Sequence, residues 1–192
     1  MRELQPTKIE YDEAKFTELM VYVATRMAND ASFGATKLNK VMFFADFWHY
    51  AQYGRPITGA EYQKLINGPA PRRLLPVQDA LFQRDEAHQV RVRMGSYQQK
   101  RFVPLREPNL AIFTAQEIDF VDHVINILRD STATRVSQLS HQLAAWQMAE
   151  VGGTIPYNAI FIYNGPVTDN DHEHAARVIE QLRPQLEGAG VI

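Results

Sequence analysis

Asp46 and His49 are the first pair of side chains in this sequence that could transfer a proton or bind a metal ion. They stand three positions apart, so they would share one face of a helix. No second histidine and no carboxylate cluster accompanies them, and the residues around them are apolar. Because a buried polar group needs a hydrogen-bond partner, the pattern favours a structural hydrogen bond over catalysis.

Ser140 and His141 have the residue types of a nucleophile and its base. Adjacent residues on a helix point in different directions, however, and no G-x-S-x-G turn surrounds the serine. The sequence therefore gives little ground for a serine hydrolase.

Four residues near the C-terminus have the residue types of metal ligands: Asp169, Asp171, His172 and His174. Aspartates in front of an apolar helical stripe are also what a helix N-terminus requires, and two histidines two positions apart point to different sides. Helix capping is therefore favoured over metal binding. The sequence also lacks cysteine and a phosphate-binding glycine motif. We expect a protein that is not an enzyme and that has no cofactor or metal.

The composition is that of an ordinary globular protein. The chain has 192 residues, of which 45% are hydrophobic and 22% charged. Its longest apolar run, Val41 to Ala45, is far shorter than a membrane span, and the first residues have no apolar core of a secretory signal. We therefore expect a soluble cytoplasmic protein without membrane contacts.

The charge is unevenly distributed along the chain. The formal net charge is −2, but between Arg72 and Arg106 eight basic residues stand against three acidic ones, a local charge of +5. The rest of the chain therefore carries −7. Such asymmetry favours an acidic protein surface or a nucleic-acid backbone as the partner of the basic segment.

Helical periodicity dominates the sequence and predicts a mainly α fold, a single compact domain of about six helices with one small β-hairpin. We place a lead-in at residues 1–11, the domain at 12–187 and a flexible tail at 188–192. The predicted helices begin at the N-cap Asp12, at the N-cap Thr36, near Pro71, at the Thr114–Glu117 capping box, near Thr134 and after Asp171. The second helix, ending at Tyr53 with Gly54 as its cap, is apolar nearly all round and should be central.

A basic hairpin is predicted near residues 88–105. Arg91 and Arg93 alternate with apolar residues, Gly95 and Ser96 supply a turn, and the segment from Arg101 to Leu105 returns as the second strand. Three other segments are less regular. Residues 57–66 suggest an extended stretch and a turn, residues 68–71 a rigid break, and residues 159–163 a short strand or a buried loop.

The region from Thr36 to Pro71 resembles the Panacea domain of bacterial and phage antitoxins. That family has a K-L-x-K-x-x-x-F-A-x-x-W helix, a Y-G-x-P break and a later G-P element. The matching residues here are Lys37, Leu38, Lys40, Phe44, Ala45, Trp48, Tyr53, Gly54, Pro56, Gly68 and Pro69. A second family motif, L-S-H-x-x-x-x-W, is matched by Leu139, Ser140, His141 and Trp146. The resemblance covers about Asp12 to Phe161.

The resemblance implies an antitoxin that neutralises a cognate toxin, commonly a translation inhibitor, by direct protein–protein binding. Some relatives act instead as adaptors that deliver the toxin to a cellular protease. The candidate partner-binding residues are the basic ones: Lys37, Lys40, Arg72, Arg73, Arg91, Arg93, Lys100 and Arg101. The alternative is a DNA-binding regulator, since a helix followed by a basic two-stranded ribbon is the layout of a winged helix.

Two expectations concern the motif side chains themselves. Lys37 and Lys40 fall in the first turn of their helix, and lysines there are expected to be exposed. His141 and Trp146 are five positions apart, so on one helix they would diverge by about 140° and form no common patch.

Overall fold

The computed structural model describes residues 9–95 and 97–162, together with Glu173, Arg177 and Glu180. The chain forms two compact units, residues 1–162 and 163–192. The first contains helices α1 (Glu13–Arg26), α2 (Ala35–Tyr53), α3 (Leu74–Gln83), α4 (Ala115–Arg129), α5 (Ala133–His141) and α6 (Ala144–Met148). Its strands are β1 (Tyr62–Leu65), β2 (Gly68–Pro71), β3 (Ala87–Met94), β4 (Tyr97–Pro104) and β5 (Thr154–Ile155), with 3₁₀ turns at Leu110–Ile112 and Tyr157–Phe161.

The prediction of a mainly α fold is confirmed, whereas the described residues form five strands and not the two of a single hairpin. In the second unit, Glu173, Arg177 and Glu180 are helical, and Arg177 lies 3.8 Å from Glu173. The predicted helix start after Asp171 and the four candidate ligands from Asp169 to His174 lie outside the described residues. No helix in the described part of the chain is both long and apolar enough to cross a membrane.

Helix α2 is the central element of the first unit, as its apolar sequence predicted. It packs against α1, α4 and α5 and against strands β2 and β4. Phe43, Phe44 and Phe47 are fully buried, and the Phe47 ring stacks on Tyr157 at a centroid distance of 4.5 Å. Burial of aromatic rings on more than one face is what a helix apolar all round requires.

The local signals at the helix ends are largely confirmed. Asp12 caps α1 by accepting a hydrogen bond from the Lys15 amide, and Thr114 and Glu117 form the reciprocal capping box of α4. Gly54 ends α2 with a φ of 72°, a left-handed conformation that favours glycine. The N-cap assignment of Thr36 is wrong, because α2 begins one residue earlier and its cap is Gly34.

A three-stranded antiparallel sheet in the order β2-β1-β5 replaces the rigid break expected at residues 68–71. The prolines at positions 69 and 71 led to the prediction of a break, because proline is rare in central strands. Strand β2 is an edge strand, however, and tolerates both prolines. Consequently Pro71 starts no helix, and α3 begins at Leu74 with Pro76 in its first turn.

The basic hairpin is confirmed as β3 paired with β4. Residues directly opposite each other share a face, and the register pairs Gln89 with Phe102, Arg91 with Lys100, and Arg93 with Gln98. These three pairs therefore lie in a row on one face, while Val90 and Val92 lie on the other.

Candidate partner-binding surface

Asp46 is buried at the centre of a hydrogen-bond network, as the structural interpretation predicted. Its carboxylate accepts hydrogen bonds from the backbone amides of Ile57 (2.9 Å) and Thr58 (2.7 Å), and from the hydroxyls of Thr58 and Tyr62 (2.5 and 2.8 Å). Burial raises the pKa of the Asp46 carboxyl, although these donors favour its ionised form. His49 contacts a different partner, with Nδ1 2.6 Å from the carbonyl oxygen of Arg55. The two side chains hold the chain that follows α2.

Lys37 is fully buried, so the expectation that it is exposed is wrong. Its ammonium group donates to the Asp30 carboxylate, to the Ser32 hydroxyl (2.9 Å), and to the carbonyl oxygens of Arg129 (2.5 Å) and Ser131 (2.6 Å). The last two acceptors lie at the C-terminal end of α4, where a cation is favourable. Lys37 therefore joins α2 to α4 and is not available to a partner.

Lys40 is also buried, at 1% exposure, so the expectation that it is exposed is wrong as well. Its ammonium donates to the carbonyl oxygen of Pro69 at 2.9 Å, and burial lowers its pKa to about 7. A Cβ added to Gly68 would lie 2.6 Å from Lys40 Cε and 2.7 Å from Ser140 Oγ. Residues of both family motifs thus meet in one buried cluster.

Ser140 belongs to this buried cluster. Its hydroxyl is buried and donates to the carbonyl oxygen of Ser137 at 2.7 Å. The neighbouring His141 stacks on Trp146, with ring centroids 4.0 Å apart, and Lys64 Nζ lies 4.2 Å from the Trp146 ring. Burial, and then the charges of Lys40 and Lys64, lower the pKa of His141.

The stacking of His141 on Trp146 contradicts the expected divergence. That expectation assumed one continuous helix, but α5 ends at His141 and α6 begins at Ala144. The break resets the helical phase, so the two rings meet instead of diverging.

Three of the predicted partner-binding arginines have contacts within the protein. Arg72 pairs with Glu61 at 2.7 Å and donates to the Gly152 carbonyl oxygen, and Arg73 pairs with Glu13 at 2.9 Å. Arg101 donates to the carbonyl oxygens of Ala28 and Asp30, which holds the hairpin against the end of α1. These contacts stabilise the fold, and they leave these arginines less available to a partner.

Arg91, Arg93 and Lys100 are the exposed remainder of the predicted basic patch. None of them has an ion pair or side-chain hydrogen bond within the described residues. All three lie on the same face of the hairpin, with Arg91 directly opposite Lys100. Like charges placed opposite each other are unfavourable, so an acidic partner would relieve their repulsion. We call these residues the cationic row.

A cavity of about 230 Å³ adjoins the cationic row, and the sequence did not indicate it. It lies among α2, α3, β2 and the hairpin, and its apolar walls include Leu65, Leu74, Leu75 and Phe102. Basic residues at the cavity are Arg72, Lys100 and Arg101, and no aspartate or glutamate lines it. A tertiary cavity of this kind has no sequence signal, because its walls come from segments far apart in the chain.

Comparison with known families assigns the chain to one of them. Residues 38–147 match the family model described as Antitoxin SocA-like, Panacea domain. The match runs from α2 into α6 and covers more than half of the chain, so this protein belongs to that antitoxin-like family, as the resemblance predicted. No curated protein and no solved structure matches the chain.

Proposed function

We propose that this protein neutralises a cognate toxin, a translation inhibitor, by binding it directly and covering its active surface. Membership of the antitoxin-like family supports a toxin as the partner. The observation that carries the binding mechanism is the cationic row, three exposed cations on one hairpin face without an acidic contact in the described part of the chain.

The cationic row would act first on the rate of association. Complementary charges steer partners during diffusional encounter, whereas buried apolar contacts slow dissociation. The row therefore orients the toxin, and anchoring requires an apolar surface beside it.

We propose a binding protein rather than an enzyme. Three of the residues with catalytic potential have structural contacts, since Asp46, His49 and Ser140 are buried and hydrogen-bonded within the fold. Among the described residues there is no group of three or more histidine or acidic side chains that could hold a metal ion.

The winged-helix alternative gains no support from α3, the helix that precedes the hairpin. Its sequence, LLPVQDALFQ, contains no lysine or arginine and includes Asp79. A recognition helix approaches the phosphates of the major groove, and nearly all non-specific affinity for DNA comes from cations. The uneven charge of this chain is therefore better explained by an acidic protein partner.

A toxicity-rescue experiment tests the proposal. The neighbouring gene is expressed alone and together with this protein, growth is followed, and the complex is sought by co-purification. We expect growth arrest, rescue, and a stable complex that contains both proteins.

The other outcomes lead to different conclusions. If the neighbouring gene expressed alone does not arrest growth, its product is not the toxin of this pair. Rescue with falling toxin levels and no stable complex contradicts neutralisation by occlusion and indicates delivery to a protease. A salt-sensitive electrophoretic mobility shift of the upstream DNA would instead support a DNA-binding regulator.

A further inference from the structure

The cavity beside the cationic row has an apolar opening that the described residues leave uncovered. Leu75, on the first turn of α3, is 67% exposed, and Leu65, at the end of β1, is 38% exposed. Both line the cavity, and Ile66, adjacent to Leu65, is 81% exposed. Exposed apolar side chains that surround a cavity are typical of a site that receives an apolar side chain of a partner.

The register of the hairpin connects this cavity to the cationic row. Gln89 and Phe102 form the cross-strand pair that lines the cavity. The next pair on the same face is Arg91 with Lys100, and the one after it contains Arg93. Pairs on one face follow each other at about 7 Å, so Arg91 and Arg93 follow the Gln89–Phe102 pair at about 7 and 14 Å, while Lys100, opposite Arg91, itself lines the cavity.

An extended peptide has the same spacing. Its residues rise by about 3.3 Å each, so side chains two and four positions from an anchor lie about 7 and 14 Å away. Carboxylates at those positions would reach the two steps of the cationic row.

We infer that the cavity and the cationic row together form a docking groove for one extended segment of the toxin. That segment has an apolar anchor and acidic residues two and four positions away from it. The charge argument rests on Lys100 at the cavity and on Arg91 and Arg93 beside it, and no aspartate or glutamate lines the cavity. The inference rests on the proposed function, since it takes the toxin as the source of the segment.

The test uses short synthetic peptides and the intact protein. Amide signals of isotope-labelled protein are followed by NMR while the peptide Leu-Ser-Asp-Ser-Glu-Gly, or its reversed sequence, is added to about 1 mM, a concentration that detects weak specific binding. We expect saturable shifts at Leu75, Gln89, Phe102 and Lys100 with at least one of the two directions. Peptides with serine in place of the leucine, or with lysine in place of both acids, should give no saturable shift.

Leu75→Glu is the variant that tests the groove. A glutamate in the first turn of α3 is favourable to the helix dipole, so folding should be retained while the anchor site becomes polar and acidic. Ile127→Glu is the control, since Ile127 is a 47% exposed residue of α4 and lines no part of the cavity. We expect Leu75→Glu to abolish the peptide shifts and to weaken toxin binding at least about tenfold, as for a central anchor contact. Ile127→Glu should change neither.

Peptide binding and toxin binding together distinguish failure of the groove from failure of the proposed function. Absence of saturable shifts with both peptide directions overturns the groove, and so does toxin binding that Leu75→Glu leaves unchanged. If the wild-type protein binds no toxin but takes the peptide at the groove, the proposed function fails while the recognition chemistry stands, and assignment of the segment to a toxin is overturned.

Discussion

At the scale of single residues, Lys40 and Asp46 show how buried ionisable groups are used inside α2. Among the described residues Lys40 has one hydrogen-bond acceptor, the Pro69 carbonyl oxygen, whereas Asp46 has four donors. Lys40 therefore gains little in exchange for its lost hydration, and burial lowers its pKa to about 7. The same burial raises the pKa of Asp46.

The low pKa of Lys40 predicts that stability rises with pH above neutrality. The unfolded chain keeps this lysine protonated to its ordinary pKa of 10.5, whereas the folded state releases the proton near pH 7. The unfolded state binds more protons between these values, so the free energy of unfolding increases with pH, by about 2 kcal/mol from pH 7 to 9. Urea unfolding of the wild type and of Lys40→Met at several pH values isolates this contribution. Parallel pH profiles for the two proteins would contradict it.

Asp46→Ala should lower the free energy of unfolding by about 3 kcal/mol. The substitution leaves the buried amides of Ile57 and Thr58 without their acceptor, whereas the Tyr62 hydroxyl keeps the carbonyl oxygen of Met42 at 2.8 Å. Tyr62→Phe serves as a milder comparison, since it removes one donor and keeps the carboxylate, and should cost about 1 kcal/mol. Chemical denaturation measures both. Equal losses in the two variants would show that the network does not depend on the carboxylate.

At the scale of secondary-structure elements, two glycines with positive φ have different surroundings. Gly54 ends α2 with a φ of 72°, and an added Cβ there would meet nothing within 4 Å. Gly68 begins β2 with a φ of 96°, and its Cβ would lie 2.6 Å from Lys40 Cε and 2.7 Å from Ser140 Oγ. Gly68 therefore allows β2 to approach α2 and α5 closely, whereas Gly54 only ends a helix.

This difference predicts unequal costs for the same substitution. Gly54→Ala should cost about 1 kcal/mol, the strain of the left-handed backbone alone. Gly68→Ala adds a steric clash in a packed region and should cost about 3 kcal/mol or more. Thermal unfolding of both variants provides the comparison. If Gly68→Ala were as stable as Gly54→Ala, the buried motif cluster would have to be more loosely packed than described.

At the scale of the whole molecule, ion pairs within the basic segment, residues 72–106, leave the unpaired charge of that segment on the hairpin. Arg84 and Arg106 pair with Glu86, Arg106 also pairs with Glu18, and Arg72 pairs with Glu61. The excess charge of the basic segment therefore becomes effective at the cationic row. An acidic surface of the toxin would be drawn to this side of the first unit.

Reversal of charge in the cationic row should slow toxin association. The double variant Arg91→Glu with Arg93→Glu is expected to reduce the association rate about tenfold at low ionic strength, and the difference should shrink as salt is added. Arg55→Glu with Arg135→Glu changes the net charge equally at exposed positions outside the hairpin and serves as control. Association kinetics at several salt concentrations measure the effect. Identical rates for both double variants would remove the row from the mechanism.

Local sequence signals predicted much of the secondary structure of the first unit. The Asp12 cap, the Thr114–Glu117 capping box, the Gly54 cap and the alternation around Arg91 each depend on residues a few positions apart. An extended stretch and a turn were expected at residues 57–66, where β1 and the turn after it lie. Strand β2 was missed, because a proline-containing segment can pair only at a sheet edge. Edge position is a property of the sheet and not of the segment.

The sequence by itself therefore determined the mainly α fold, the family and the basic hairpin, because these follow from short-range patterns and motif residues. Only the tertiary structure decided which cations are free. Lys37 binds carbonyl oxygens 92 and 94 residues away, and Lys40 binds one 29 residues away. The cavity is likewise formed by segments distant in the chain. The fate of a charged side chain depends on the acceptors that folding brings to it, and spacing along the sequence does not contain that information.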